Sequence, residues 1–214
     1  MTDLWSKRAQ GYVESETHRE GRDLDLLVSW AEGETALDVA TGGGHVARRL
    51  REAGFNVVTA DPAPGMRPDV VCRAEDLPFA DSSFDTVATR IAPHHFSDIH
   101  AAVIQMARVA RRLVLVEDTL FESEEMEEIE RRYHDPTHVR SYSEEEWRSF
   151  LEDAGLEVEE VAFEEKWRDV DAWCERTGCV GPDRARVKEL LGDRIDERGG
   201  FTDTKILLKA RKPR

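Results

Sequence analysis

The chain has 214 residues and carries 30 lysines and arginines against 45 aspartates and glutamates, a formal charge of −15 at neutral pH. This acid excess argues against binding to the phosphates of nucleic acids, and no dense basic segment offsets it. No apolar stretch approaches the roughly 20 residues needed to span a bilayer. We therefore expect a cytoplasmic protein with no membrane span and no nucleic-acid partner.

Length and cysteine usage predict one domain without a metal site. A chain of this length can bury a substantial core, and no proline- or glycine-rich linker divides it. The cysteines, Cys72, Cys174 and Cys179, are odd in number and lack the close spacing of metal ligands. We expect reduced thiols, and a single domain that covers residues 1–214.

A mostly helical segment at residues 4–30 is followed by a strand, a glycine-rich turn and a helix. Leu37 and Val39 indicate a buried strand, and Val46 and Leu50 recur at helical spacing. The three residues 42–44 between them are all glycine. Glycine permits positive φ and lets backbone N–H groups approach a ligand closely. The context therefore favours a nucleotide-binding turn over an ordinary one.

Two ligand classes fit this turn. Gly42, Gly44 and Ala47 match the dinucleotide pattern G-x-G-x-x-G/A, and Asp61 follows Gly42 by 19 residues, where a ribose-binding acid is expected. That spacing permits a nicotinamide-dependent enzyme. Asp38, however, lies inside the strand just before the turn, where its carboxylate would repel a pyrophosphate. S-adenosylmethionine carries an ammonium and a sulfonium but no phosphate, so it suits this acid better.

The next strand delivers a second carboxylate to the same edge of the sheet. Residues 57–60 form a short apolar run that ends in Asp61, and open α/β sheets bind ligands at the carboxyl ends of their strands. A ribose diol fits this acid, although an aspartate before Pro62 is also a common turn opener. Between Met66 and the next strand near Val70 there is no room for a crossover helix, which needs at least about ten residues. We expect a tight, proline-guided loop instead.

Candidate acceptor-side residues follow a fourth strand at residues 84–88. Arg90, His94 and His95 lie in the succeeding loop, at the carboxyl edge that also holds the glycine turn. Histidine titrates near neutral pH, which suits a general base. The pair also fits an ordinary loop in which Ser97 caps the next helix.

A second polar cluster lies at residues 131–142, after the fifth strand. His134 and His138 are four residues apart, as metal ligands on one helix face would be. Pro136 between them argues against a continuous helix, and thereby against a metal pair. His138 remains a third candidate base.

Two helix boundaries are predicted in the same half of the chain. Arg108, Arg111 and Arg112 are expected to close one helix, because cations interact favourably with the negative end of the helix dipole. Ser143 and Glu146 form a capping box that begins another helix. Further on, alternating polarity predicts two late strands, at residues 156–163 and 202–210.

Several of these segments together resemble the class I S-adenosylmethionine-dependent methyltransferases, specifically the small-molecule branch related to the ubiquinone and menaquinone C-methyltransferases. Residues 37–44 are similar to the family's first motif, with Ala40 where glycine is usual. Residues 57–66 resemble its second strand and the following loop. Residues 74–79 and 83–87 resemble its adenine-side segment and fourth strand.

The resemblance implies an α/β fold with a Rossmann-like, seven-stranded, mostly parallel sheet, an antiparallel final strand and helices on both faces. It also implies a helical amino-terminal cover at residues 1–31 and inserts near the acceptor side at residues 119–150 and 165–198. Three residues of the front segment are expected over the acceptor pocket: Trp5, Tyr12 and His18.

For the cofactor, the resemblance implies that Asp61 binds both ribose hydroxyls and that Met66 packs on the adenine. With the residue pattern, it gives these candidate cofactor-binding residues: Asp38, Ala40, Gly42, Gly44, Asp61, Pro62, Met66, Ala74, Glu75 and Arg90. The chain departs from the family at Arg73, where relatives often have an acid. The family's Pro-Gly-Gly turn before the fifth strand is also missing.

The predicted activity is methyl transfer from S-adenosylmethionine to a small-molecule acceptor, on oxygen or carbon. Because the sulfonium is already activated, the protein mainly has to align the reacting atoms in a dry pocket. A base is needed only if the acceptor must lose a proton, and the candidates are His94, His95 and His138. The alternatives are an NAD(P)-dependent oxidoreductase and a module that binds S-adenosylmethionine without catalysis. The sequence does not indicate the oligomeric state.

Overall fold

Two helices precede the sheet in the computed structural model, which describes residues 2–14 and 19–213, without the side chains of residues 2, 3, 10, 12 and 14. Helix α1 is Thr2–Glu14 and helix α2 is Arg22–Ser29. Helix α2 buries Leu24 and Leu27 against the sheet. The expected roles of Tyr12 and His18 over the acceptor pocket lie outside the described residues and side chains.

Seven strands form one sheet in the order β3-β2-β1-β4-β5-β7-β6. Strands β1 to β5 are parallel, and β7 runs antiparallel between β5 and β6. The predicted Rossmann-like fold is therefore confirmed. The strands are β1 (Thr35–Val39), β2 (Asn56–Asp61), β3 (Val70–Val71), β4 (Phe84–Arg90), β5 (Ala110–Thr119), β6 (Glu157–Asp169) and β7 (Gly200–Arg211).

The remaining helices cover both faces of the sheet, because the buried strands are apolar on both sides. In β5, Val114 faces one core and Leu115 faces the other. The first core packs against α4 and α6, and the second packs against α2 and α3. The helices are α3 (His45–Glu52), α4 (Ile99–Val109), α5 (Glu124–Ile129), α6 (Glu144–Asp153), α7 (Val170–Thr177) and α8 (Pro182–Leu191).

A separate apolar cluster joins α5, α7 and α8 at one end of the sheet. Met126, Trp173 and Val187 are buried in it. Helix α5 continues as a π-helical turn at Glu130–His134. This cluster holds the chain between β5 and β6 against the chain between β6 and β7. The two segments can therefore enclose a space beside the sheet.

The second crossover and the capping box match their predictions. A single 3₁₀ turn at Pro64–Met66 leads from β2 to β3, so the expected short loop is confirmed. Ser143 accepts a hydrogen bond from the Glu146 backbone, and the Glu146 side chain accepts one from the Ser143 backbone.

One predicted helix boundary was wrong in part, since of the three arginines only Arg108 lies in the last turn of α4. Arg111 and Arg112 lie in β5 and do not close α4, because the strand begins directly at Ala110 and Arg111 pairs with Asp85 of the neighbouring strand at 2.8 Å. The cap of α4 is Asp98, whose side chain accepts a hydrogen bond from the backbone of residue 101, and not Ser97. Over the described ranges, no helix is both long and apolar enough to cross a membrane.

Candidate active site

The carboxyl ends of β1, β2 and β4 surround a cavity, which we call the strand-end cavity. Nine of the ten candidate cofactor residues line it, and Gly44 instead caps α3. The nine are Asp38, Ala40, Gly42, Asp61, Pro62, Met66, Ala74, Glu75 and Arg90. Trp5 of α1 also lines this cavity, as do Ile91 and His95 after β4.

The glycine turn adopts a backbone that few other residues would accept. Gly42 has φ 51° and Gly44 has φ 75°, both in the left-handed region. Ala40, where the family pattern has glycine, is also left-handed with φ 55°. The Gly42 N–H donates to Asp61 Oδ2 at 3.0 Å, and the Gly44 N–H donates to the Thr41 carbonyl oxygen at 2.9 Å. The turn is thereby fixed to the end of β2.

Asp38 presents a buried carboxylate to the strand-end cavity. Its Oδ2 accepts hydrogen bonds from the Thr41 hydroxyl at 2.5 Å and from the Ala47 N–H at 3.1 Å. Its Oδ1 has no hydrogen-bond partner among the described residues. Burial raises the pKa of Asp38 to about 6, and nearby Asp61 adds to that rise. A cationic group in the cavity would satisfy the free oxygen and favour the ionised form.

Asp61 is held in one orientation by two backbone groups. Its Oδ1 accepts from the Ala63 N–H at 2.8 Å, and its Oδ2 accepts from Gly42. The side chain is buried, and burial raises its pKa above the usual value. Each carboxylate oxygen retains acceptor capacity, because it has a second lone pair. The group can therefore accept two further hydrogen bonds from a diol.

Glu75 and Arg90 line the strand-end cavity, but each already has protein partners. Glu75 Oε1 accepts hydrogen bonds from Arg73 at 3.0 Å and from the backbone of Ser97 at 2.9 Å, so it fixes the start of α4. Arg90 forms buried ion pairs with two acids. They are Glu117 of β5, at 2.5 Å, and Asp23 of α2. Arg90 therefore has a structural role, and its contact with the cofactor stays a prediction.

The charge cluster around Arg90 was missed by the sequence reasoning. Lys166 of β6 also pairs with Asp23, at 2.5 Å. Burial raises the pKa of Glu117 to about 8, although the neighbouring Arg90 guanidinium opposes that rise. The cluster ties α2 to strands β4, β5 and β6 beneath the strand-end cavity. Acids within otherwise apolar strands were the signal that could have revealed it.

A second cavity adjoins the first, and we call it the polar cavity. Ile91 and His95 line both cavities. The polar cavity also takes residues from the 130–138 segment, from α7 and from the paired strands β6 and β7. Those used below are His94, His134, His138, Arg168, Asp203 and Lys205. The structure thus brings all three candidate bases to the wall of one space.

His94 has the contact expected of an oriented base. Its Nδ1 lies 2.5 Å from Oδ1 of Asp118, a fully buried residue near the end of β5. The other Asp118 oxygen has no partner among the described residues. A carboxylate holds the proton on Nδ1 and leaves Nε2 free to accept one. Asp118 was not predicted from the sequence.

His95 and His138 differ from His94 in their partners. His95 Nδ1 lies 3.0 Å from the Thr137 carbonyl oxygen, which can only accept, so Nδ1 carries the proton. Burial and the neighbouring His94 lower the pKa of His95, and its ring is neutral at pH 7. His138 Nε2 lies 2.9 Å from Glu127. Burial lowers the pKa of His138, but the hydrogen bond to Glu127 and the neighbouring acids outweigh it, and the pKa is raised.

The remaining part of the 131–142 segment divides between cavity and surface. His134 lines the polar cavity, pairs with Glu130 at 3.0 Å and stacks on Trp173. Arg140, which we expected on the acceptor side, lies at the surface and pairs with Glu146 at 2.8 Å. In the part of the chain that the structure describes, no group of three or more histidines, cysteines and acids is arranged to hold a metal ion.

Comparison with known proteins assigns a family to this architecture. Residues 37–114 match the model of a methyltransferase domain. An uncharacterized methyltransferase of Mycobacterium tuberculosis is 31% identical over 80% of this chain and 75% of its own. A demethylmenaquinone methyltransferase of Beutenbergia cavernae is 39% identical over 40% of this chain and 41% of its own.

The crystal structure of a candidate methyltransferase from Bacillus halodurans superposes with a TM-score of 0.79, at 29% identity, over 91% of this chain and 100% of that one. The matched segment contains the glycine turn, Asp61 and the fourth strand, which are the parts that form the strand-end cavity. The chain therefore belongs to the class I S-adenosylmethionine-dependent methyltransferases, and is related to those that methylate quinones.

Proposed function

We propose that the protein methylates a small-molecule acceptor, on oxygen or carbon, with S-adenosylmethionine bound in the strand-end cavity and the acceptor in the polar cavity. The observation that carries this proposal is the common wall of the two cavities at Ile91 and His95. One cavity offers the glycine turn and two acids, and the other offers histidines beside it. A donor and an acceptor placed in them would meet at that wall.

The residues of the strand-end cavity fit the cofactor. The free Oδ1 of Asp38 suits the ammonium group, and the fixed carboxylate of Asp61 suits the ribose diol. Met66 and Ala74 supply an apolar surface for the adenine. When bound, the cofactor supplies an activated methyl group. The protein then has to align the acceptor and exclude water.

His94 is the proposed base for an acceptor that must lose a proton. Asp118 orients its ring, leaving Nε2 as the proton-accepting atom in the polar cavity. His95 has the same tautomer, but its Nδ1–H is held by a neutral carbonyl, and its lowered pKa makes it the weaker base. His138 is already paired with Glu127. We propose that it positions the 130–138 segment.

The nicotinamide alternative fits the strand-end cavity less well. A dinucleotide would place its pyrophosphate at the glycine turn, within reach of both Asp38 and Asp61. The buried Asp38 carboxylate would then face a like charge. Methyl transfer to a panel of metabolites would distinguish an enzyme from a module that only binds S-adenosylmethionine. The three free cysteines fit a reducing compartment, and we propose that the protein is cytoplasmic.

A thermal-unfolding comparison tests this proposal. S-adenosylhomocysteine at about 100 times its dissociation constant should stabilise the protein by about 2.7 kcal/mol, whereas NAD and NADP should leave the melting temperature unchanged. Asp69→Asn, which removes an exposed acid on the far side of β2, serves as the matched control and should respond as the natural chain does. Stabilisation by NAD, or no response to S-adenosylhomocysteine, would refute the proposed cofactor site.

A further inference from the structure

The far wall of the polar cavity is built from charged side chains of the paired strands β6 and β7. Arg168 belongs to β6, and Asp203 and Lys205 belong to β7. Their exposures are 7%, 9% and 1%, so all three are buried in the protein while they line the cavity. Charged residues are rarely buried this deeply unless each has its partner.

Within this group, one carboxylate oxygen of Asp203 accepts two hydrogen bonds and the other accepts none from the described part of the chain. Asp203 Oδ2 accepts from Arg168 Nε at 2.8 Å and from Lys205 Nζ at 3.0 Å. Two cationic side chains therefore donate to the same carboxylate oxygen. The two terminal guanidinium nitrogens of Arg168 have no acceptor among the described residues. Asp203 Oδ1 is buried and also has no partner there.

Unlike Asp203 Oδ1, the terminal nitrogens of Arg168 are not fully buried, so a ligand in the polar cavity can reach them. The terminal nitrogens of a guanidinium form a planar fork that matches a carboxylate or phosphate. Lys205 also donates to Thr119 at 2.5 Å, which directs its ammonium into the same region. Burial lowers the pKa of Lys205 and Asp203 opposes that effect, so a further anion would favour the charged lysine.

The other acids around the polar cavity do not supply the missing anion. Glu130 is paired with His134, and Asp135 is paired with Arg8 at 3.2 Å. Asp118 faces His94. These acids lie on the side of the 130–138 segment and of β5. The end of the cavity between β6 and α7 is thus its cationic end, and Arg176 of α7 lines it as well.

We propose that the cationic end of the polar cavity binds an oxyanion of the acceptor, so that the substrates are small acids bearing a carboxylate or a phosphate. Arg168 receives the oxyanion through its two terminal nitrogens, and Lys205 adds a second contact. Asp203 stays paired with both cations and does not contact the ligand, because its second oxygen is fully buried. This inference rests on the proposed function, because it extends the acceptor site.

Calorimetry on the S-adenosylhomocysteine-loaded protein tests the inference with probes that differ only in charge. The probes are 4-hydroxybenzoate with its neutral counterpart 4-hydroxybenzamide, acetate with acetamide, and inorganic phosphate. We expect at least one carboxylate to bind at least tenfold more tightly than its amide. Alternatively, inorganic phosphate should bind as tightly as such a carboxylate would. Preference for phosphate over both carboxylates would assign a phosphorylated acceptor, and the reverse would assign a carboxylic acid.

Variants show which residue is responsible for the preference for anionic probes. Arg168→Gln should remove the preference for the anion, and Arg168→Lys should retain part of it because the charge remains without the fork. Arg198→Gln is the matched control, since Arg198 is exposed, precedes β7 and lies outside both cavities. The preference should persist in that variant. Melting curves show whether each variant is folded.

Two results would overturn the inference. One is equal affinity within both carboxylate and amide pairs together with no binding of inorganic phosphate. The other is a folded Arg168→Gln protein that keeps the full preference. Both would be read on protein that binds S-adenosylhomocysteine, so they would leave the proposed function standing. Failure to bind S-adenosylhomocysteine at all would instead count against the proposed function.

Discussion

The two cavities are built from different parts of the chain. The strand-end cavity takes most of its wall from residues 38–46, 61–75 and 90–96, which include the glycine turn and the acids Asp38 and Asp61. The polar cavity takes its wall from segments spread between residues 91 and 205, and side-chain ion pairs dominate it. One site is thus made by successive turns along one sheet edge. The other is made by contacts between distant segments.

This difference explains which ligand each cavity can specify. In the proposed function, the glycine turn and two fixed acids bind the S-adenosylmethionine that the methyltransferase family uses. Side chains brought together from β5, β6, β7 and α7 can change one at a time without altering the turn. The acceptor can therefore differ among related proteins while the cofactor stays the same.

The largest expected effect is a loss of turnover, without a loss of cofactor binding, when His94 is replaced. His94→Gln should lower kcat by about 10²- to 10⁴-fold, the usual contribution of a general base. The affinity for S-adenosylhomocysteine should be unchanged, because His94 lines only the polar cavity. Radiolabelled methyl transfer and calorimetry measure the two quantities. Turnover within about threefold of the natural chain would show that the acceptor needs no base here.

A second prediction concerns stability on the acceptor side. His138→Ala leaves the Glu127 carboxylate buried without its cation, which should lower the free energy of unfolding by about 3–5 kcal/mol. Arg140→Ala is the control from the same segment. It removes an exposed pair and should cost less than about 1 kcal/mol. Urea unfolding gives both values, and equal losses would contradict the structural role assigned to His138.

A third prediction concerns Asp61 in the strand-end cavity. Asp61→Ala should weaken S-adenosylhomocysteine binding by about 2–4 kcal/mol, because two charge-assisted hydrogen bonds to the ribose are lost and water partly replaces them. That corresponds to roughly 30- to 1000-fold in the dissociation constant. Calorimetry measures it, with Asp69→Asn as the control. An unchanged affinity in a folded Asp61→Ala protein would contradict this placement.

The smallest expected effect is a pH dependence of the affinity for S-adenosylhomocysteine, which we assign to the strand-end cavity. The pKa of Asp38 is raised to about 6, chiefly by burial. An ammonium group prefers the ionised acid, so affinity for S-adenosylhomocysteine should be full above this pKa. Below it, affinity should fall by up to about tenfold per pH unit. Asp38→Asn should bind more weakly and lose most of this dependence between pH 5 and 7. An equally steep fall in that variant would assign the titration to Asp61.

The residues of the strand-end cavity could be predicted from the sequence, because the patterns that indicate them are local. Asp38, the glycines and Asp61 lie within 24 consecutive residues, and the short distance from Met66 to β3 excluded a helix. Each inference required only the spacing of residues along one strand and turn. The seven-stranded, mostly parallel sheet with an antiparallel final strand followed from the family resemblance.

The contacts around the polar cavity could not be predicted in this way, because the partner residues are distant in sequence. His94 meets Asp118 across 24 residues, and Arg168 meets Asp203 across 35. Nothing near His138 showed that Glu127 would neutralise it, or that Arg140 would lie at the surface. The helix boundary at Ala110 failed for a related reason. A cross-strand ion pair with Asp85 outweighed the preference of arginine for a helix end.

Ile91, which lines both cavities, has φ 49°, a left-handed conformation that β-branched residues rarely adopt. Such a backbone stores about 1–3 kcal/mol. Glycine at this position would release that strain, less about 0.5–1 kcal/mol for its greater freedom in the unfolded chain. Ile91→Gly would also lose the packing of this half-buried side chain, and it would open the wall at which the two proposed ligands meet.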